Sequence, residues 1–150
     1  MIEIIARRKG GLFFLYGLCS LSGVFFLAFA LMNTSLENYE RIGNFLIGLT
    51  LLVTGIVICV LYLRTPKVVI TYDGNKLSIG GQEYKPSQIT SVTYRRARAK
   101  HTHYRWGSIT VKISGKEYRY SFVADVEEVH NRLIALMKEA VWDEGANAAL

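Results

Sequence analysis

Two long stretches of this sequence contain no ionisable residue. Residues 10–32 and residues 42–63 lack Asp, Glu, Lys, Arg and His. Each stretch reaches the roughly 20 apolar residues with which a helix crosses about 30 Å of hydrocarbon. This composition argues against a wholly soluble globule and predicts two membrane-spanning helices. Intramembrane charge usually marks an ion or proton path, so its absence from both stretches argues against a pore or pump formed by this chain alone.

Cysteine is scarce, and the two cysteines of the chain both lie inside the apolar stretches. We therefore interpret Cys19 and Cys59 as small packing residues and not as redox groups. Small residues allow membrane helices to approach closely, and the short loop 33–41 makes the two spans antiparallel neighbours. The sequence thus predicts a helical hairpin over residues 1–64. The glycines expected in its helix interface are Gly17, Gly23, Gly48 and Gly55.

The chain also lacks the short motifs of the common enzyme classes. It contains no G-x-S-x-G, P-loop, H-E-x-x-H or paired-carboxylate motif, so we expect neither enzymatic activity nor a cofactor. His101 and His103 lie on one side of a predicted strand, and the third histidine, His130, lies on a predicted helix. Zinc sites recruit at least three protein ligands, and the cations beside this pair repel a divalent ion. We therefore predict no metal site and interpret the pair as surface histidines or as part of a pH-sensitive patch.

Positive charge flanks the apolar stretches. The chain carries 18 Lys and Arg against 12 Asp and Glu, which gives a net charge of +6. Arg7, Arg8 and Lys9 precede the first stretch, whereas Arg64 and Lys67 follow the second. Short loops rich in Lys and Arg are retained on the cytoplasmic side of a membrane. Both termini are therefore predicted to be cytoplasmic.

The periodicity changes to that of strands after Pro66. Alternating polar and apolar residues with Gly-containing turns, such as Asp73-Gly74-Asn75, indicate an antiparallel meander with one buried face. A C-terminal helix is predicted from Asp125, where Glu128 completes a capping pair, to about Trp142. The sequence thus predicts a small domain over residues 65–142 and a fraying tail over residues 143–150. The extended segments found in this domain are residues 67–72, 76–79, 82–85, 90–94, 108–113 and 117–122.

The layout of the whole chain resembles a known family. Two spans run directly into a strand, and the motifs Tyr72-Asp73-Gly74-Asn75-Lys76-Leu77-Ser78-Ile79 and Pro86-Ser87-Gln88-Ile89-Thr90-Ser91-Val92 follow. This layout resembles the bacterial membrane proteins with a YcxB-like, pleckstrin-homology-like domain. The resemblance implies an α+β protein of the bacterial inner membrane, in which a transmembrane hairpin precedes a small antiparallel PH-like β-barrel or sheet capped by one C-terminal helix. It implies seven strands, so the seventh is expected from residues 98–106 or from the division of a longer segment.

A basic stretch with interleaved aromatic residues is the most distinctive feature of the predicted domain. Each Lys or Arg near an anionic leaflet contributes about 1 kcal/mol to membrane binding, and the amphipathic Trp and Tyr side chains suit a membrane interface. The stretch therefore predicts a surface for anionic lipid headgroups or an acidic partner; the alternative is a solvated, flexible loop. Nucleic acid is not expected as a ligand of a small membrane-anchored domain. The candidate contact residues are Arg95, Arg96, Arg98, Lys100, Arg105 and Trp106.

Together these features predict a membrane-anchored binding or regulatory module. Its expected partners are membrane lipids and either a protein partner or further copies of the same chain. The alternative is an accessory or immunity-type subunit that binds another membrane protein or a toxin. In that case the four interface glycines are expected to line the contact with the partner.

Overall fold

The computed structural model describes residues 2–99 and 102–148, with side chains as far as residue 142. The described chain is α+β, with two long apolar helices near the N-terminus, two antiparallel sheets and a C-terminal helix. It divides into two compact units. The helical unit is Gly10–Arg64, and the β unit combines Met1–Lys9 with Thr65–Leu150.

The helical unit contains α1 (Leu12–Met32) and α2 (Asn38–Arg64). Both helices are long and apolar enough to cross a membrane. The buried residues of α1 are Gly23 and Ala30, and those of α2 are Gly48, Gly55 and Tyr62. The core helix of a soluble protein buries a whole apolar face, whereas most apolar side chains of these two helices are exposed. The helix α2 begins before residue 42, where the span was predicted to begin, because the polar residues ahead of the apolar stretch continue the helix.

Three of the predicted interface glycines lie where α1 and α2 approach each other. A Cβ atom at Gly23 falls 2.8 Å from the carbonyl oxygen of Gly48, and a Cβ atom at Gly48 falls 2.8 Å from the backbone nitrogen of Leu27. A Cβ atom at Gly55 collides with Ser20. A Cβ atom at Gly17, in contrast, meets no described residue. Close backbone packing therefore requires glycine at three of these positions, and Gly17 lies outside the helix interface.

The β unit contains seven strands in two antiparallel sheets. The first sheet has the order β1 (Glu3–Arg7), β2 (Val68–Tyr72), β3 (Leu77–Ile79) and β4 (Gln82–Tyr84). The second sheet has the order β5 (Ile89–Ala99), β6 (Thr102–Ile113) and β7 (Lys116–Val123). A 3-10 turn at Pro86–Gln88 connects the sheets, and the helix α3 (Val126–Ala148) follows β7.

The seventh strand comes from the N-terminus and not from residues 98–106. The strand β1 precedes the helical unit and pairs with β2, with Ala6 opposite Ile70. The domain boundary predicted at residues 64 and 65 is therefore incorrect for the first nine residues, which belong to the β unit. No local sequence pattern predicts that β1 is a strand of this sheet, because β1 is only five residues long. Its pairing partner β2 lies far away in the sequence, after both long helices.

The two sheets do not close into a barrel in the part of the chain that the structure describes. They meet at one corner, where Arg8 forms an isolated bridge with Val123. The core between the sheets contains Ile70, Leu77, Ile109 and Val111, and α3 covers it with apolar side chains that include Leu133. The barrel form of the prediction is thus replaced by two sheets and a covering helix. The helix also continues through residues 143–148, where a fraying tail was predicted, while residues 149 and 150 lie outside the described chain.

Candidate anion-binding groove on the β5–β6 hairpin

The predicted basic stretch forms the outer part of the hairpin of β5 and β6. Arg95 pairs with Ser108, Arg96 with Gly107 and Arg98 with His103 across the ladder. The described part of the stretch is therefore strand, and not the loop that was the alternative. Lys100 and His101, which were predicted in the same stretch, lie outside the described residues.

Gly107 allows the two strands to approach at this point. A Cβ atom at Gly107 collides with the carbonyl oxygen of Arg95 and falls 2.9 Å from the Cα atom of Arg96. The register shifts between Arg96 and Arg98 on one side of the ladder, and between Gly107 and Ile109 on the other. Irregularities of this kind bend a strand and turn its side chains in new directions. They distribute the arginines of the stretch between two environments.

The first environment is the N-terminal end of α3. The guanidinium of Arg96 forms an ion pair with Glu127, and Nε of Arg105 lies 3.2 Å from Oδ1 of Asp125. Exposed pairs of this kind contribute about 0–1 kcal/mol each to stability. Asp125, which was predicted as the helix cap, directly precedes α3, and its carbonyl accepts from the N–H of Val129. Its carboxylate also contacts Arg105 of the hairpin. Two of the predicted ligand-binding arginines therefore already have acidic partners within the protein.

The second environment is an open groove of about 410 Å³ on the outer side of the hairpin. Arg95 and Arg98 are exposed along it, and neither forms an ion pair with any residue that the structure describes. Two serine hydroxyl groups add neutral hydrogen-bonding partners. This site, called the groove below, is also bordered by Arg96, whose guanidinium pairs with Glu127. Its other lining residues include Arg95, Arg98, Trp106, Ser108, Ser121 and Phe122.

Aromatic rings form one wall of the groove. The ring of Trp106 stacks on that of Phe122, with 6.1 Å between centroids and 25° between planes. Tyr104 extends the row, with its ring centroid 5.8 Å from that of Trp106. Phe122 lies on β7, away from the basic stretch, and no pattern in the sequence connected it with these residues. The groove thus combines two guanidinium groups, neither of them ion-paired within the described part of the chain, with a half-buried aromatic surface.

The histidines do not converge in the described chain. His103 lies on β6 opposite Arg98, whereas the ring of His130 packs on Tyr94 with 4.7 Å between centroids. Among the residues described, no group of three His, Cys, Asp or Glu side chains could hold a metal ion. His130 therefore has a packing role beneath the hairpin.

A tyrosine cluster connects β4 with β7, away from the groove. The hydroxyl of Tyr84 lies 2.5 Å from that of Tyr118, and the two hydroxyl oxygens lie 2.6 and 3.1 Å from Oε1 of Gln82. The hydrogen bond with Tyr118 is the main cause that raises the pKa of Tyr84 to about 12. Burial raises the pKa of the neighbouring Tyr120. This cluster links β4, at one edge of the first sheet, to β7. The Arg8–Val123 bridge lies beside β1, at the other edge of the first sheet.

A second connection ties the N-terminal strand to α3. Arg132 donates two hydrogen bonds to the carboxylate of Glu3, at 3.0 and 2.8 Å. These hydrogen bonds lower the pKa of Glu3 and raise that of Arg132. The pair helps to keep β1 in place beside α3.

No protein-family model, curated protein or solved structure matches this chain. The function proposed next therefore depends on the chemistry of the groove and on the connectivity of the two units.

Proposed function

We propose that the protein is a membrane-anchored binding module in which the groove contacts anionic lipid headgroups. The observation that carries the proposal is the position of Arg95 and Arg98 beside the Trp106–Phe122 stack, where neither forms an ion pair with a described residue. Guanidinium groups bind phosphate with paired hydrogen bonds, and indole rings suit the boundary between headgroups and acyl chains. The two arginines together supply about 2 kcal/mol of attraction to an anionic leaflet, or roughly thirtyfold in affinity.

The connectivity of the sheet supports the anchoring part of this proposal. The strand β1 precedes the two helices and β2 follows them, yet the two strands share a ladder. If α1 and α2 span a membrane, the chain must leave and re-enter the same side. The cations at these two connections support a cytoplasmic location for that side; they are Arg7, Arg8, Lys9, Arg64 and Lys67. We thus propose an inner-membrane protein with both termini in the cytoplasm.

We also propose that the β unit belongs to the YcxB-like, PH-like proteins that the sequence resembles. Seven strands followed by one helix agree with the number of elements that the resemblance implies. The arrangement in two open sheets is what distinguishes this unit from the barrel that was expected.

The helix glycines bear on the alternative, an accessory or immunity-type subunit. Under that alternative the glycines would contact another membrane protein. Gly23, Gly48 and Gly55, however, lie at the contact between the two helices of this chain. Gly17 is the remaining candidate, with open space beside it among the described residues. The groove therefore provides more specific chemistry than the helix surface, and we favour the lipid-binding function.

The test uses the fluorescence of Trp106 in the full chain, reconstituted in nanodiscs. A Trp142→Phe background leaves Trp106 as the only tryptophan. In nanodiscs that contain phosphatidylglycerol, we expect a blue-shifted emission and weaker acrylamide quenching than in phosphatidylcholine nanodiscs, with the difference lost at high salt. Arg95→Glu with Arg98→Glu should remove the difference.

A matched control separates the groove from net charge. Lys85→Glu with Lys138→Glu changes the net charge by the same amount at two exposed positions outside the groove, and it should retain the response to phosphatidylglycerol. Equal emission of Trp106 in the two lipid compositions would disprove the proposed function.

A further inference from the structure

The two connections between the β unit and the helical unit are tied to each other. The chain enters the helical unit after Lys9 and leaves it before Thr65. The backbone N–H of Arg8 donates to the carbonyl of Lys67 at 3.0 Å, and the guanidinium of Arg8 donates to the carbonyl of Thr65 at 2.8 Å. The segment that enters the first helix is thus fixed to the segment that leaves the second.

The same N-terminal segment is also fixed to the end of β7. The backbone N–H of Lys9 donates to the carbonyl of Phe122 at 2.7 Å, and the N–H of Ala124 donates to the carbonyl of Arg7 at 2.9 Å. The backbone of Phe122 therefore holds the residue that directly precedes the helical unit. The ring of Phe122 is part of the groove wall, with its centroid 6.1 Å from that of Trp106.

The backbone of Phe122 is in a conformation that L side chains rarely adopt. Its φ is 60°, in the left-handed region that favours glycine. A non-glycine residue persists there only where the surrounding contacts hold it. For Phe122 the contacts include the irregularity of the β6–β7 ladder between Gly107 and Ile109. They also include the stack with Trp106 on the groove side and the hydrogen bond from Lys9 on the other. Loss of the stack removes one of these contacts and so weakens the restraint on the carbonyl that accepts from Lys9.

We propose that occupation of the groove is coupled through Phe122 to the segment Arg7–Lys9 at the entrance to the first helix. This inference rests on the proposed function, since the ligand is the anionic bilayer surface. A headgroup that binds Arg95 and Arg98 beside the aromatic wall holds Phe122 in its left-handed conformation and so stabilises the Lys9–Phe122 hydrogen bond. Coupling between two sites is reciprocal. A conformational change at the start of the first helix that breaks the Lys9–Phe122 hydrogen bond therefore weakens lipid binding in the groove.

Hydrogen exchange on the full chain in nanodiscs tests the coupling. We compare phosphatidylcholine nanodiscs with nanodiscs that also contain phosphatidylglycerol, and follow separate peptides from the groove and from residues 2–10. The expected result is slower exchange in both peptides when phosphatidylglycerol is present, by roughly fivefold or more at Lys9.

Arg95→Glu with Arg98→Glu separates coupling from a direct effect of lipid on the N-terminal cations. If the groove transmits the effect, this variant loses the protection at Lys9 as well as that in the groove. Protection at Lys9 that persists in the variant overturns the coupling, because anionic lipid then acts on the N-terminal segment itself.

Substitutions of Phe122 supply the second arm. Phe122→Gly keeps the backbone conformation accessible but removes the ring from the groove wall, so exchange at Lys9 should no longer respond to phosphatidylglycerol. Phe122→Tyr keeps the ring and should behave like the natural chain. If phosphatidylglycerol slows exchange in the groove of the natural chain but not at Lys9, the coupling alone is overturned. If it slows exchange at neither place, the proposed function is overturned as well.

Discussion

Ala6 pairs with Ile70 in the β1–β2 ladder, although the entire helical unit lies between them in the sequence. Both side chains are fully buried in the core of the β unit. The first strand of the β unit thus precedes the helices in the sequence, and the other strands of the unit follow them. The two segments between which the helical unit is inserted are thus neighbours in one sheet.

The buried position of Ala6 gives the first prediction. Ala6→Asp places an unpaired charge in the core and should lower the free energy of unfolding of the β unit by about 3–5 kcal/mol. Ile4 lies on the same strand but is 56% exposed, so Ile4→Asp should cost less than about 1 kcal/mol. Thermal unfolding followed by circular dichroism compares the two variants. Equal losses at both positions would show that β1 is not part of the core.

The adjacent ends of the helical unit give the second prediction. Because Arg8 bonds to Thr65 and Lys67, a short Gly/Ser linker should be able to replace residues 10–64. Residues 1–9 joined in this way to residues 65–150 should give a soluble protein that melts cooperatively. Residues 65–150 alone lack β1 and should show a lower midpoint or no cooperative transition, as measured by calorimetry. The same stability with and without residues 1–9 would contradict the assigned sheet.

The glycine interface of the helical unit gives the third prediction. A side chain at Gly23 meets the backbone of α2, whereas one at Gly17 meets no described residue. Gly23→Val should therefore destabilise the helix pair by about 1–3 kcal/mol through overpacking. Gly17→Val, which adds the same β-branched side chain to the same helix, serves as the control and should have a smaller effect. Unfolding in mixed micelles with increasing dodecyl sulfate measures both, and a larger loss for the Gly17 variant would refute the packing described.

The raised pKa of Tyr84 gives the fourth prediction, on stability at alkaline pH. In the folded protein its pKa is about 12, against 10.0 for an ordinary tyrosine, so the fold binds this proton more tightly than the unfolded chain does. Its contribution to stability is fully present below pH 10 and is lost as the pH rises through about 12. Midpoints of thermal unfolding at a series of alkaline pH values should therefore fall in this range. The midpoints of the Tyr84→Phe variant should fall less steeply with rising pH. An unchanged slope would rule out the tyrosine cluster as the cause of the alkaline loss of stability.

Much of the fold could be predicted because its signals are local. The two uncharged stretches predicted two long apolar helices, and the structure confirms helices of that length and composition. Period-two alternation located six of the seven strands, since each lies beside a turn and a neighbouring strand. The capping pair of Asp125 and Glu128 predicted the start of a C-terminal helix, and α3 begins at Val126. These features depend on residues a few positions apart.

The candidate site was less accessible to sequence reasoning. The pattern identified the basic stretch but treated its arginines as one set. Only the bulged ladder and the acidic start of α3 separate Arg96 and Arg105, which are paired internally, from Arg95 and Arg98. Phe122 could not be assigned to the site, because its contact with Trp106 crosses between strands.

The sequence by itself determined where the chain is apolar enough to form two membrane-length helices, where strands alternate and where the last helix begins, because hydropathy and periodicity act between near neighbours. Only the tertiary structure decided that the first residues complete the sheet, that the sheets stay open, and that two arginines face the groove without acidic partners. Those outcomes depend on backbone pairing and charge contacts between distant residues, which no local pattern encodes.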